Sequence, residues 1–150
     1  MEKKQIGVLA VQGAFAEHIA MVRKLGAEAF EIRQLPDLER PMDGLILPGG
    51  ESTAMRKLLD ELGLYEPLRA KIAAGLPVYP TADSMVRDGG LATVGINYTV
   101  LGGQTADMVC RVLEGTPIAD IPVELVNESS VVVNGDTAAA LGVDVSRYVQ

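Results

Sequence analysis

Tryptophan is absent, and cysteine and histidine occur once each in 150 residues, as Cys110 and His18. One cysteine excludes an intramolecular disulfide, and one Cys with one His excludes a Cys/His zinc site. No apolar run approaches the roughly 18 residues of a membrane-spanning helix. Positive charge is scarce: 13 Lys+Arg stand against 20 Asp+Glu, a net charge of −7. Nucleic-acid binding needs clustered Lys and Arg on one face and is therefore not expected. The start, MEKKQIGVLAV, has no small-residue cleavage site after an apolar core and reads as a first strand, not a signal peptide. These absences predict a soluble, cytoplasmic, single α/β domain over residues 1–150 that needs no cofactor and no metal.

What is present is an alternation. Residues 6–11, 29–33, 45–47, 77–79 and 91–96 are short apolar runs of strand length. Between them lie helical spacings: Phe15, Ile19 and Val22, then Met55, Leu58, Leu59 and Leu62. Further helices are predicted over about 65–74, 81–88 and 136–141. Another carries Leu101, Thr105, Met108, Val109 and Val112, with Cys110 read as a core residue. Residues 123–126 and 130–133 read as two Val-rich strands. Strand-then-helix repeats predict a three-layer, doubly wound, mainly parallel sheet, flavodoxin-like or Rossmann-like. The expected order is 2-1-3-4-5 plus a C-terminal edge strand, with ligands outside the carboxyl ends of the strands. Residues 129–133 are few in charge and strong in β-propensity, so a monomer or an edge-strand dimer is expected.

Two turns carry candidate chemistry. Gln12 and Gly13 close the first strand, where a glycine permits a tight turn and leaves N–H groups for an anion or a developing oxyanion. Gly49, Gly50, Glu51 and Ser52 follow the third strand, and two glycines before a helix make a backbone cradle, with Ser52 or Thr53 as the expected N-cap. No Gly-Lys-Ser/Thr follows, so this is not a P-loop. His18 lacks a nucleophile identifiable in sequence and reads as a solvated or capping residue.

The composition changes near residue 80. Residues 1–80 hold 10 Lys+Arg and 11 Asp+Glu, residues 81–150 hold 3 and 9, and no lysine follows Lys71. The two sides also carry different resemblances. IGVLAVQGAFAEH, DGLILPGGESTAMRKLL and GLYEPLRAKIAAGLPVY, in that order over about residues 4–79, resemble the glutaminase-subunit family of pyridoxal 5′-phosphate synthase, class I glutamine amidotransferases. That resemblance implies a flavodoxin-like fold. It also implies a glutamine-binding and oxyanion loop at Gly49, Gly50, Glu51 and Ser52, with Gln12 and Gly13 beside it near the docking face for the synthase partner. The family's Gly-Thr-Cys-Ala-Gly elbow has no counterpart: Pro80, Thr81, Ala82, Asp83 and Ser84 stand there, and no His-Pro-Glu follows. About residues 77–145 resemble the C-terminal part of ABC-transporter solute-binding proteins of the periplasmic-binding-protein-like I fold. That likeness implies solute contacts at Thr81, Asp83 and Ser84. With the junction at about 75–81, the sequence predicts an engineered chimeric scaffold that is not an enzyme and has no obligate partner. The alternatives are weak small-molecule or anion binding at the strand ends, and a residual glutaminase-subunit role through docking to the synthase.

Overall fold

The computed structural model describes residues 3–125 and 129–148. The chain runs β1 (Gln5–Leu9), α1 (Phe15–Lys24), β2 (Glu28–Ile32), a 3-10 turn (Leu35–Glu39), β3 (Gly44–Leu47), α2 (Ser52–Glu61) and α3 (Tyr65–Ala73). It continues through β4 (Val78–Pro80), α4 (Asp83–Arg87), β5 (Ala92–Ile96), α5 (Tyr98–Leu113), a second 3-10 turn (Ile118–Asp120), β6 (Ser129–Val133) and α6 (Gly135–Leu141). One compact unit takes residues up to Thr93 together with those from Val132, and a second takes Val94–Val131.

The first unit holds a four-stranded parallel sheet in the order β2-β1-β3-β4. Side chains of a strand alternate between faces, so both faces must find cover. Val8 goes to one face, where it meets Ala29 and Ile19 of α1. Leu9 goes to the other, with Ile32, Leu45 and Val78, under Leu64 and Leu68 of the α3 region. Met55 and Leu59 of α2 pack on that same cluster. The class expected from the sequence, a parallel α/β sheet with helices on both faces, is the one found.

The sheet is shorter than the expected 2-1-3-4-5 plus an edge strand. β5 pairs only with β6, as a separate two-stranded sheet. Proline explains the break. The Leu91 N–H donates to the Val78 carbonyl at 2.8 Å, which begins a β4–β5 ladder. In a parallel ladder the next bond back would come from residue 80, but Pro80 has no N–H to give. The Leu91 carbonyl instead accepts from the Asn134 N–H at 2.9 Å.

Two further expectations shift. Residues 123–125 are irregular and exposed, not a strand, and residue 126 lies outside the described residues. Cys110 is exposed, not in the core. On α5 the half-buried residues are Val100, Gln104, Met108 and Arg111, and position 110 falls well round the helix from them. The Val-rich β6 is paired on one side by β5. Among the described residues, no helix is long and apolar enough to cross a membrane.

Candidate functional site

Three of the four sheet strands end in turns that meet. After β1 the chain needs a sharp reversal into α1, and Gly13 makes it at φ +83°, a region that disfavours any residue with a Cβ. A Cβ on Gly13 would stand 2.0 Å from the Gly49 carbonyl oxygen, so the turns after β1 and β3 touch backbone to backbone. A Cβ on Gly50 would come within 2.8 Å of Gln12 Oε1, and one on Gly49 within 3.3 Å of Thr81 Oγ1. The turn after β4 thereby joins the other two. Pro48, buried, and Met55 close the wall, 3.1 and 3.2 Å from where a Cβ would stand on Gly13 and Gly50.

The polar groups of this cradle are under-used. Gln12 Oε1 is buried and accepts no hydrogen bond. Among the described residues, the N–H groups of Gly13, Gly49 and Gly50 donate none. Buried polar groups normally find partners, so an unpaired carbonyl oxygen beside free amides marks a place for a ligand carrying both donors and acceptors.

Glu51 takes the N-cap place expected of Ser52 or Thr53. Its carboxylate accepts from the N–H groups of Thr53 (2.9 Å) and Ala54 (2.6 Å), so Glu51 caps α2, and neither Ser52 nor Thr53 does. Those two bonds hold its carboxyl below the ordinary carboxylate range. Glu51 thus fixes the helix that follows the cradle. Ser52 is the first residue of α2 and exposed.

Of the remaining candidates, Thr81 joins the cradle through Gly49. Asp83 and Ser84 form the first turn of the five-residue α4, Asp83 half-buried and Ser84 exposed. His18 is half-buried on α1. Cys110 lies on α5 in the other unit. The sequence reading missed Pro48 and Met55 as cradle walls. Met55 was legible only as a member of the α2 stripe, because its reach to Gly50 depends on where α2 starts.

Fold and cradle together define a three-layer α/β protein that presents free backbone amides and an unpaired amide oxygen at the carboxyl ends of parallel strands. Comparison with known proteins is specific about the family. The chain belongs to the SNO glutamine amidotransferase family, matched over residues 8–93, and over residues 68–150 it matches the ABC transporter substrate binding proteins. The pyridoxal 5′-phosphate synthase subunit PdxT of Methanocorpusculum labreanum is 60% identical over 82 residues, which cover 55% of this chain and 43% of that one. PdxT of Mycolicibacterium vanbaalenii is 51% identical over 86 residues, covering 57% and 44%. The chain thus spans less than half the length of these curated relatives. Among solved structures, the ABC domain from Streptococcus pneumonia in complex with L-Trp superposes with a TM-score of 0.65 at 26% identity, covering 95% of this chain and 52% of that one. The ligand-free, open form of a substrate binding protein with adhesive properties from Clostridium difficile gives a TM-score of 0.67, also at 26% identity, covering 94% and 50%.

These findings correct three expectations. An engineered scaffold without native catalysis, a non-enzyme and a chain without an obligate partner all fail against identity of up to 60% with natural synthase subunits and against membership of an amidotransferase family. The error has a physical source. The residues missing after position 80 say less about the chain than the stretch kept before it. The retained part includes Gly13 and Gly49, which meet backbone to backbone.

Proposed function

We propose that this chain serves as a glutaminase-type subunit, binding glutamine at the ends of β1, β3 and β4 and docking to a pyridoxal 5′-phosphate synthase partner in the cytoplasm. One observation carries the reading: the meeting of the Gln12–Gly13 and Gly49–Gly50 turns, with unused amides and the unpaired Gln12 oxygen. Glutamine matches those groups. Its carboxylate and carboxamide oxygens accept from backbone N–H, and its nitrogens donate to the Gln12 oxygen. The same amides suit an oxyanion formed on the carboxamide carbon. Geometry supports the recognition half of the role, and family membership supports the hydrolytic half. At the turn after β4 the chain offers the hydroxyls of Thr81 and Ser84, which are weaker nucleophiles than a thiolate and need a base to act.

The test is a thermal melt with glutamine, gel filtration with a synthase core subunit, and an ammonia assay on the mixture. A ligand at about 100 times its Kd adds about 2.7 kcal/mol, which moves the midpoint of a domain this size by roughly 5–10 °C. The reading expects that shift, co-elution, and ammonia release above the protein-free rate. A chain that glutamine does not stabilise and that elutes apart from the synthase refutes it.

The superposition on a solved L-Trp complex favours a second reading, an aromatic amino acid held at the same strand ends. Tryptophan in the same melt separates the two. A shift with tryptophan and none with glutamine selects the second.

A further inference from the structure

Within residues 94–131 the 16-residue α5 has no buried residue, although its sequence is amphipathic. Its half-buried side is Val100, Gln104, Met108 and Arg111. Its apolar stripe faces elsewhere: Tyr98, Leu101, Thr105, Val109, Val112 and Leu113 recur at helical spacing, with Tyr98 74%, Val109 51% and Leu113 80% exposed. We propose that this stripe is a self-association surface, covered by α5 of a second copy running antiparallel.

Three observations choose that occupant. The first is area: the stripe exposes roughly 500–600 Å², close to one partner's share in the smallest specific interfaces and at the upper end of what a monomer leaves contiguous. The second is charge. Two chains of net −7 repel each other least where the contact itself is neutral, and none of the six stripe residues is charged. The charged residues of α5, Asp107 and Arg111, and its C-cap Glu114 fall on the other side of the helix, and Arg111 is already paired with Glu124. A basic partner would find nothing on the stripe to recognise. The third is fit. An antiparallel pairing that sets Leu101 against Leu113 also sets Gly102 against Val112 and Thr105 against Val109. Gly102 has open space where a Cβ would stand, so the larger side chain has room. Antiparallel helices also place the positive end of each dipole beside the negative end of the other.

The surface is independent of the glutamine cradle, so glutamine binding and dimerisation fail separately. Sedimentation equilibrium of the full chain across the micromolar range is the test. The expected result is a weak, reversible dimer at twice 15.9 kDa. Val109→Lys is expected to leave a monomer, and Asp107→Lys, on the opposite side, to leave the dimer intact. Far-ultraviolet circular dichroism checks that each variant folds. If Val109→Lys does not fold, Thr105→Arg replaces it. In a Cys110→Ser background, Thr105→Cys protein mixed with Val109→Cys protein and oxidised with oxidised glutathione, which takes up the two electrons and is reduced to the thiol, is expected to form a disulfide-linked pair. A monomer throughout, or a dimer indifferent to Val109→Lys, overturns the proposal. So does a complex that forms only with the synthase subunit and is lost in Val109→Lys, which would assign the stripe to that partner.

Discussion

Gly13 and Gly49 touch through their backbones: the carbonyl oxygen of Gly49 occupies the place where any side chain at position 13 would begin. Gly13 also holds φ +83°. An alanine there meets two costs, the left-handed backbone at about 1–2 kcal/mol and a contact neither turn can relieve without separating. Gly13→Ala is expected to lower stability by about 3 kcal/mol or more and to abolish the glutamine shift. Gly26 provides the comparison, at φ +90° with nothing near its missing Cβ. Gly26→Ala should cost only the backbone part, about 1–2 kcal/mol. Urea midpoints of the two variants decide, and equal losses would mean that the Gly13–Gly49 contact carries no weight.

The Glu51 cap makes stability depend on acid. Its carboxyl is held below the usual 4.5 by the Thr53 and Ala54 N–H groups. A carboxyl lowered in the folded state stabilises fully above its unfolded value, and that contribution disappears as pH falls through the folded one. Glu51→Ala is therefore expected to be less stable than the parent at neutral pH. The gap should close on acidification below pH 4.5. Melting points over a pH series measure it. A gap that stays constant with pH would show that the capping bonds are not the source.

Asn134 ties the C-terminal segment to the chain after β4. Its side chain donates to the Val86 carbonyl at 2.8 Å and accepts from the Thr137 N–H at 3.0 Å, capping α6. Asn134→Ala loses both and is expected to cost about 1–3 kcal/mol. Asn134→Asp keeps the cap but sets an acceptor against the Val86 carbonyl in place of the donor, so it should still lose the tether. Denaturant unfolding of the pair of variants separates cap from tether.

Leu45 sits at the centre of β3, fully buried, between β1 and β4. Leu45→Ala is expected to lose about 2–5 kcal/mol through lost burial and the cavity left behind. Leu25, 79% exposed just after α1, is the control, and its alanine variant should stay within about 0.5 kcal/mol of the parent. Chemical denaturation checks both.

Much of this protein was legible in its sequence. The apolar run through Val8 and Leu9 is continuous, not alternating, which is the mark of a strand covered on both faces, and the two residues indeed enter different clusters. The LPGGEST stretch between β3 and α2, and the Gln12–Gly13 turn, could be picked out as a backbone cradle because glycine before a helix start is a local signal. That the two turns touch was not readable, since 36 positions separate Gly13 from Gly49 and nothing local records their meeting.

The sequence by itself determined most of the segments that become strands and helices, residues 123–125 excepted, and where glycine must sit, because each of these follows from periodicity and backbone sterics within a few residues. Tertiary structure decided the rest. It gave the α2 cap to Glu51 and not to Ser52 or Thr53, since the choice turns on which oxygen reaches the free N–H groups. It ended the ladder beside β4 after the Leu91 N–H to Val78 carbonyl bond and gave the Leu91 carbonyl to the Asn134 N–H. It half-buried the Gln104 side of α5 and left Val109 and Leu113 in solvent. Which groups face each other is set by contacts between distant residues, and a local pattern of apolar positions carries no record of them.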